Sequence, residues 1–168
     1  MMATAQFPIN RIDEAWPETL PPRLAEFLQY WRGKCGADGS IPGKSAIDPI
    51  EIPHLLGGIG IIEGHPQPDG SLRYRYRLLG TDHYAANGAE HSGLYLDDLH
   101  TAEEMARVNP LYRQLLAGNQ PHYWRRAAAD PNLRHTGFSR ILAPLRDDQT
   151  GEPRFLLGYW LWEHLRPY

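Results

Sequence analysis

Three β-type segments follow one another toward the C-terminal end of the chain: PHYWRRAAA (121–129), TGFSRILAPL (136–145) and RFLLGYWLW (154–162). Only the polar turns DPNLRH and RDDQTGEP separate them. Connections this short join antiparallel neighbours, because a parallel pair needs a long crossover. A three-stranded meander is therefore expected, and the rest of the chain must cover its apolar faces.

Two more strands come earlier. GGIGIIEG (57–64) and LRYRYRLLG (72–80) flank HPQPDGS, whose Asp69-Gly70 pair marks a hairpin turn. Between the two strand groups lie TDHYAANG and SGLYLDDL, read as short irregular helices, and then a longer helix. Thr101 and Glu104 form a T-x-x-E capping box at its start. Met105, Val108, Leu111, Tyr112, Leu115 and Leu116 make its apolar face. Pro110 falls inside it and is expected to kink it or shift one turn, and Gly118 and Pro121 stop it.

Upstream, AIDPIEIPHLLGG reads as a helical turn with Asp48 as N-cap and Pro49 in first position. Pro21 and Pro22 open a leading helix in which Leu24, Phe27, Leu28 and Trp31 recur at i, i+3, i+4, i+7. Such a short helix is marginal alone, so its stripe must dock, either on its own domain or on a second copy. Residues 1–21 thus read as a loosely structured segment, 22–33 as the leading helix and 34–168 as the main domain. The fold class is α+β: a five-stranded antiparallel sheet with helices on one face and an N-terminal flanking helix.

The order of these elements, with the words inside it, resembles a PAS domain. It is most similar to the bacterial single-domain PAS_5 family. The words are YWRGKCG, IPGKSAIDPIEIPHLLGGIGIIE, RYRYRLLGT and HSGLYLDDL, and the likeness spans roughly Pro22 to Trp162. The resemblance implies a sensor or interaction module and leaves the ligand unspecified, because PAS domains share a fold and differ in their sites.

In LRYRYRLLG, alternation puts Tyr74, Tyr76 and Leu78 on one face and Arg73, Arg75 and Arg77 on the other. The first face either lines a cavity or packs as core. In a PAS-like fold the TDHYAANG helix forms the lip of the pocket, where Tyr84 and Asn87 would face inward. Met105 on the long helix, and Trp124 and Tyr159 on central strands, complete the expected lining. Alternation opposes Tyr159 to Trp160 and Trp162, so if one face lines the cavity, the other presents its aromatics outward for docking. Which sheet face lines the cavity stays open.

No cofactor is expected. His83, His91 and His100 are spaced by eight and nine residues, without cysteine partners, unlike structural zinc sites. Some PAS domains carry haem on a histidine of the long helix, and here that helix has none. Cys35, the single cysteine, lies upstream of the PAS core, away from where covalent flavin chemistry would need it.

A net charge of -3 argues against a nucleic-acid partner. No apolar run is long enough for a membrane span, the start lacks the apolar core of a signal peptide, and a cytoplasmic location is expected. The reading is therefore a stand-alone sensor that binds a small molecule or a protein partner and carries no output domain. A homodimer through Leu24, Phe27, Leu28 and Trp31 would supply the signalling surface. The alternative is a small isomerase or hydrolase with an acid or base inside the pocket, yet the strands contain almost no carboxylates. Glu63 and Glu163 are read at strand ends, and Asp82, Asp97 and Asp98 on the lip helices.

Overall fold

The computed structural model describes residues 12–127 and 137–163. The turn expected at DPNLRH and the end of PHYWRRAAA fall outside these residues. The elements run β1 (Ile12–Asp13), α1 (Pro22–Lys34), three 3-10 turns between Lys44 and Gly58, β2 (Ile59–Pro66), β3 (Leu72–Leu79), α2 (Thr81–Asn87), α3 (Leu96–Leu99), α4 (Ala102–Ala117), β4 (His122–Ala127), β5 (Gly137–Arg146) and β6 (Pro153–Glu163). The strands form one sheet in the order β1-β4-β5-β6-β2-β3, and every strand pair is antiparallel. The five expected strands are its long members. The sixth, β1, comes from the segment expected to be loose and pairs its two residues with Arg126 and Arg125 of β4.

Local chemistry places the helices. The Thr101 side chain accepts from the Glu104 backbone N–H while the Glu104 carboxylate accepts from the Thr101 N–H, the reciprocal box that starts α4. The helix continues through Pro110 to Ala117, so the proline does not end it. Pro110 lies on the exposed side of the helix. Asp48 caps the turn at Pro49 by accepting from the Ile50 N–H.

The sheet is covered on both sides. On one side Leu24, Phe27, Leu28 and Trp31 of α1 pack with Ile59, Ile61, Tyr123, Ile141, Leu157 and Tyr159. Buried side chains of this size each contribute roughly 1.5–3 kcal/mol. Trp31 also donates its indole N–H to the Pro144 carbonyl at 3.1 Å. The leading helix thus docks in cis, with its whole stripe buried in one chain. On the other side α3 and α4 bring Leu96, Met105, Tyr112, Leu115 and Leu116 against Ile62, Tyr74, Trp124, Phe138, Leu142, Leu156 and Trp160. The tryptophans of β6 therefore face the helices and Tyr159 faces α1. Among the described residues the aromatics of β6 form no outward patch, because both faces of the strand are core.

Glycines make room for this packing. A Cβ at Gly158 would lie 2.4 Å from Trp160 Cζ3, and one at Gly60 would lie 2.7 Å from the same atom. Gly80, where β3 ends, has ordinary backbone angles. Its Cβ would lie 2.1 Å from the Leu56 carbonyl oxygen and 2.4 Å from that of Gly57, so the chain leaves the strand by passing close against backbone.

Candidate functional site

On β5 the side chains of Phe138, Arg140 and Leu142 alternate toward the helix-covered face. Arg140 is only 4% exposed. Its guanidinium lies over Trp124, 3.5 Å from the ring centroid, with Trp160 at 5.8 Å. Its Nη1 donates to the Tyr112 hydroxyl at 3.0 Å. Among the described residues, Nε and Nη2 have no hydrogen-bond partner. Burial lowers the Arg140 pKa, against the opposing pull of Tyr112. Arginine nevertheless stays protonated in proteins, so a positive charge sits in this core.

Tyrosines surround it. Tyr74 meets Tyr112 edge-on, with centroids 5.4 Å apart. The Tyr74 hydroxyl is buried without a partner, and burial pushes it up to about 12. Burial also pushes the Tyr76 hydroxyl well above the usual phenol range, so both stay protonated donors at neutral pH. A recess of about 190 Å3 opens between β3 and α4, lined in part by Tyr74, Met105, Arg73, Asp97 and Asn109.

Two histidines border the same face. The ring of His83 on α2 is hydrogen-bonded through Nε2 to the Gly58 carbonyl and lies edge-on to Trp160 at 4.9 Å. Burial lowers its pKa and keeps it neutral at pH 7. His100 pairs with Glu104 at 3.3 Å, and Arg126 reaches the same carboxylate at 3.6 Å. Burial lowers the pKa of His100 as well. Among the described residues, no three His, Cys, Asp or Glu side chains converge as metal ligands would.

The arrangement is a sheet with short helices and one long helix over one face, a terminal helix over the other, and an arginine in the first core. The PAS_5 family of PAS domains matches residues 20–160, most of the chain. The chain belongs to the PAS domain family. No curated protein matches it.

In this PAS domain, four of the eight side chains expected to line a pocket lie on the helix-covered face: Tyr74, Tyr76, Met105 and Trp124. The other four lie elsewhere. Leu78 is 49% exposed, because a β-bulge interrupts the alternation. Ile61 pairs with Leu78 but Ile62 pairs with Tyr76, leaving Arg77 as the extra residue and turning Leu78 to the α1 side. Tyr84 is 47% exposed and Asn87 is also exposed, because α2 is rotated to bury His83 and Ala86. Tyr159 sits in the α1-side core.

Arg140 is not among the expected lining residues, and His83 is weighed in the sequence only as a metal ligand. Strict alternation through FSRILAPL already puts Arg140 on one face with Phe138 and Leu142. The spacing of His83 and Ala86, at i and i+3, was the matching signal on α2.

Arg73, Arg75 and Arg77 of β3 are partly exposed and all ion-paired, Arg73 with Asp97 and the other two with Glu63. Glu63 is buried in the middle of β2, not at a strand end, and draws Arg75 at 2.9 Å, Arg77 at 3.4 Å, Arg154 at 3.1 Å and His65 at 3.2 Å. Burial alone would raise the Glu63 pKa, but the Arg75 hydrogen bond and the charges of His65, Arg154 and Arg77 hold it below the usual carboxylate value. This cluster ties β2, β3 and β6 together on the α1 side. Among the described residues, no helix is long and apolar enough to cross a membrane.

Proposed function

We propose that this PAS domain is a sensory module. A small molecule is received on the helix-covered face of the sheet, and the change passes to a protein partner by association. One observation carries the reading. The Tyr74 hydroxyl, the Trp124 indole N–H and Arg140 Nε and Nη2 are buried without hydrogen-bond partners among the described residues. Natural cores satisfy nearly all such groups, and each one left bare costs about 1–3 kcal/mol. All four can donate, so a molecule with acceptor atoms would satisfy them. The isomerase or hydrolase alternative is weaker. Glu104, the carboxylate that borders this face, is already engaged by His100, Arg126 and its own capping box.

Native mass spectrometry and absorbance of the freshly purified chain test the reading. The expected result is a small-molecule mass carried by the folded protein and released on denaturation. A chain that carries no such mass counts against it.

A further inference from the structure

We infer that the molecule received on the helix-covered face is a monocarboxylate with an apolar body, held by the Nε–Nη2 edge of Arg140; the inference rests on the small-molecule reading above. Stacking on Trp124 fixes the plane of the guanidinium, and the Tyr112 hydroxyl takes Nη1. What remains is one edge with two parallel N–H groups and no acceptor among the described residues.

The same chain shows what such an edge holds. Arg73 uses its Nε and Nη2 to grip the Asp97 carboxylate at 2.9 and 3.0 Å, and its guanidinium lies over Tyr95, 3.7 Å from the ring centroid. Arg140 repeats that design: an aromatic face and a fork with no acceptor among the described residues. Planar two-point recognition of this kind suits a carboxylate.

Charge and shape narrow the class. The second cation near Arg140 is Arg126, which faces Glu104, so Arg140 is left with one uncompensated positive charge. A buried cation without a partner is costly, and a single negative charge neutralises it. A phosphate dianion would bring one charge too many. Trp124, Trp160, Phe138, Leu142 and Tyr76 surround the site and favour an apolar or aromatic body on the acid.

Thermal unfolding of the full chain tests this with matched pairs: phenylacetate against phenylacetamide, and butyrate against butyramide. At about 10 mM, roughly ten times a millimolar Kd, the fitting acid raises Tm by about 3–6 °C. Its neutral amide leaves Tm unchanged. Arg140→Met removes the uncompensated charge, so the variant unfolds at or above the wild-type temperature without ligand and no longer responds to acid. Arg140→Lys keeps the charge but loses the fork and binds the acid about tenfold or more weakly. An Arg140→Met chain that melts well below wild type or does not fold makes Arg140 structural and overturns the inference. Equal response to acid and amide, or a neutral molecule found on the native protein, overturns the carboxylate class but leaves the small-molecule reading standing. No response to any probe, together with a bare native mass, ends both.

Discussion

Arg140 Nη1 donates to the Tyr112 hydroxyl at 3.0 Å, which ties the middle of α4 to the central strand β5. Removing that acceptor leaves a further buried donor of a charged group unmet. Tyr112→Phe should therefore destabilise the fold by about 1–3 kcal/mol in urea unfolding. In an Arg140→Met background the same change should cost much less. Additive costs in this double-mutant cycle would mean that the bond contributes nothing.

The leading helix belongs to its own domain's core. Phe27 and Trp31 are buried in the same chain as the sheet they touch. Replacing both by aspartate puts two uncompensated charges into that core, so the double variant should lose the cooperative unfolding transition of the wild type, read by circular dichroism. A folded monomer on size exclusion would instead mean that the stripe serves association between chains. Trp31→Phe is the milder probe. It keeps an aromatic ring but loses indole volume in the core and the hydrogen bond to the Pro144 carbonyl, and should cost about 1–3 kcal/mol.

Local signals carried much of this fold into the sequence. The capping box at Thr101 and Glu104, the Asp69-Gly70 turn and the α1 stripe depend on near neighbours, and each appears where the residues say. The misses depend on partners far along the chain. The bulge at Arg77 is a property of how β3 pairs with β2, so alternation within β3 could not place Leu78. β6 is apolar on both faces, so its pattern alone did not say that Trp160 meets the helices and Tyr159 meets α1. Arg140 lay in plain view of the alternation rule, in a strand otherwise rich in apolar side chains.

Acid should weaken the fold in two stages. His83, His100 and His122 are all held below the ordinary histidine pKa, chiefly by burial. The unfolded chain therefore takes up protons that the folded chain refuses. Stability present above about pH 6.5 falls as the pH drops through their lowered values. Glu63 is also lowered, so its contribution is present above the unfolded glutamate value and is lost as pH falls through the folded one. Glu63→Gln should lower stability by about 1–3 kcal/mol at pH 7, because three arginines lose their shared acceptor, and should flatten the acidic stage of the profile. An unchanged slope below pH 4.5 in that variant would assign the acid sensitivity to other groups.

Gly80 is required for clearance, not for an unusual backbone angle. Gly80→Ala would push a methyl group into two carbonyl oxygens that cannot swing away, and should cost about 1–3 kcal/mol. A neutral Gly80→Ala in denaturant unfolding would show that the passage from β3 to α2 has slack.

Side-chain NMR of the arginine Nε–H groups reads the proposed site most directly. In the free protein, Arg73 Nε–H already holds Asp97 and Arg140 Nε–H holds nothing among the described residues. Titration with the acid that raises Tm should shift the Arg140 Nε–H signal and slow its exchange with water, while Arg73 stays in place and the matching amide moves neither. An Arg140 signal that remains fixed while the acid binds would contradict the site.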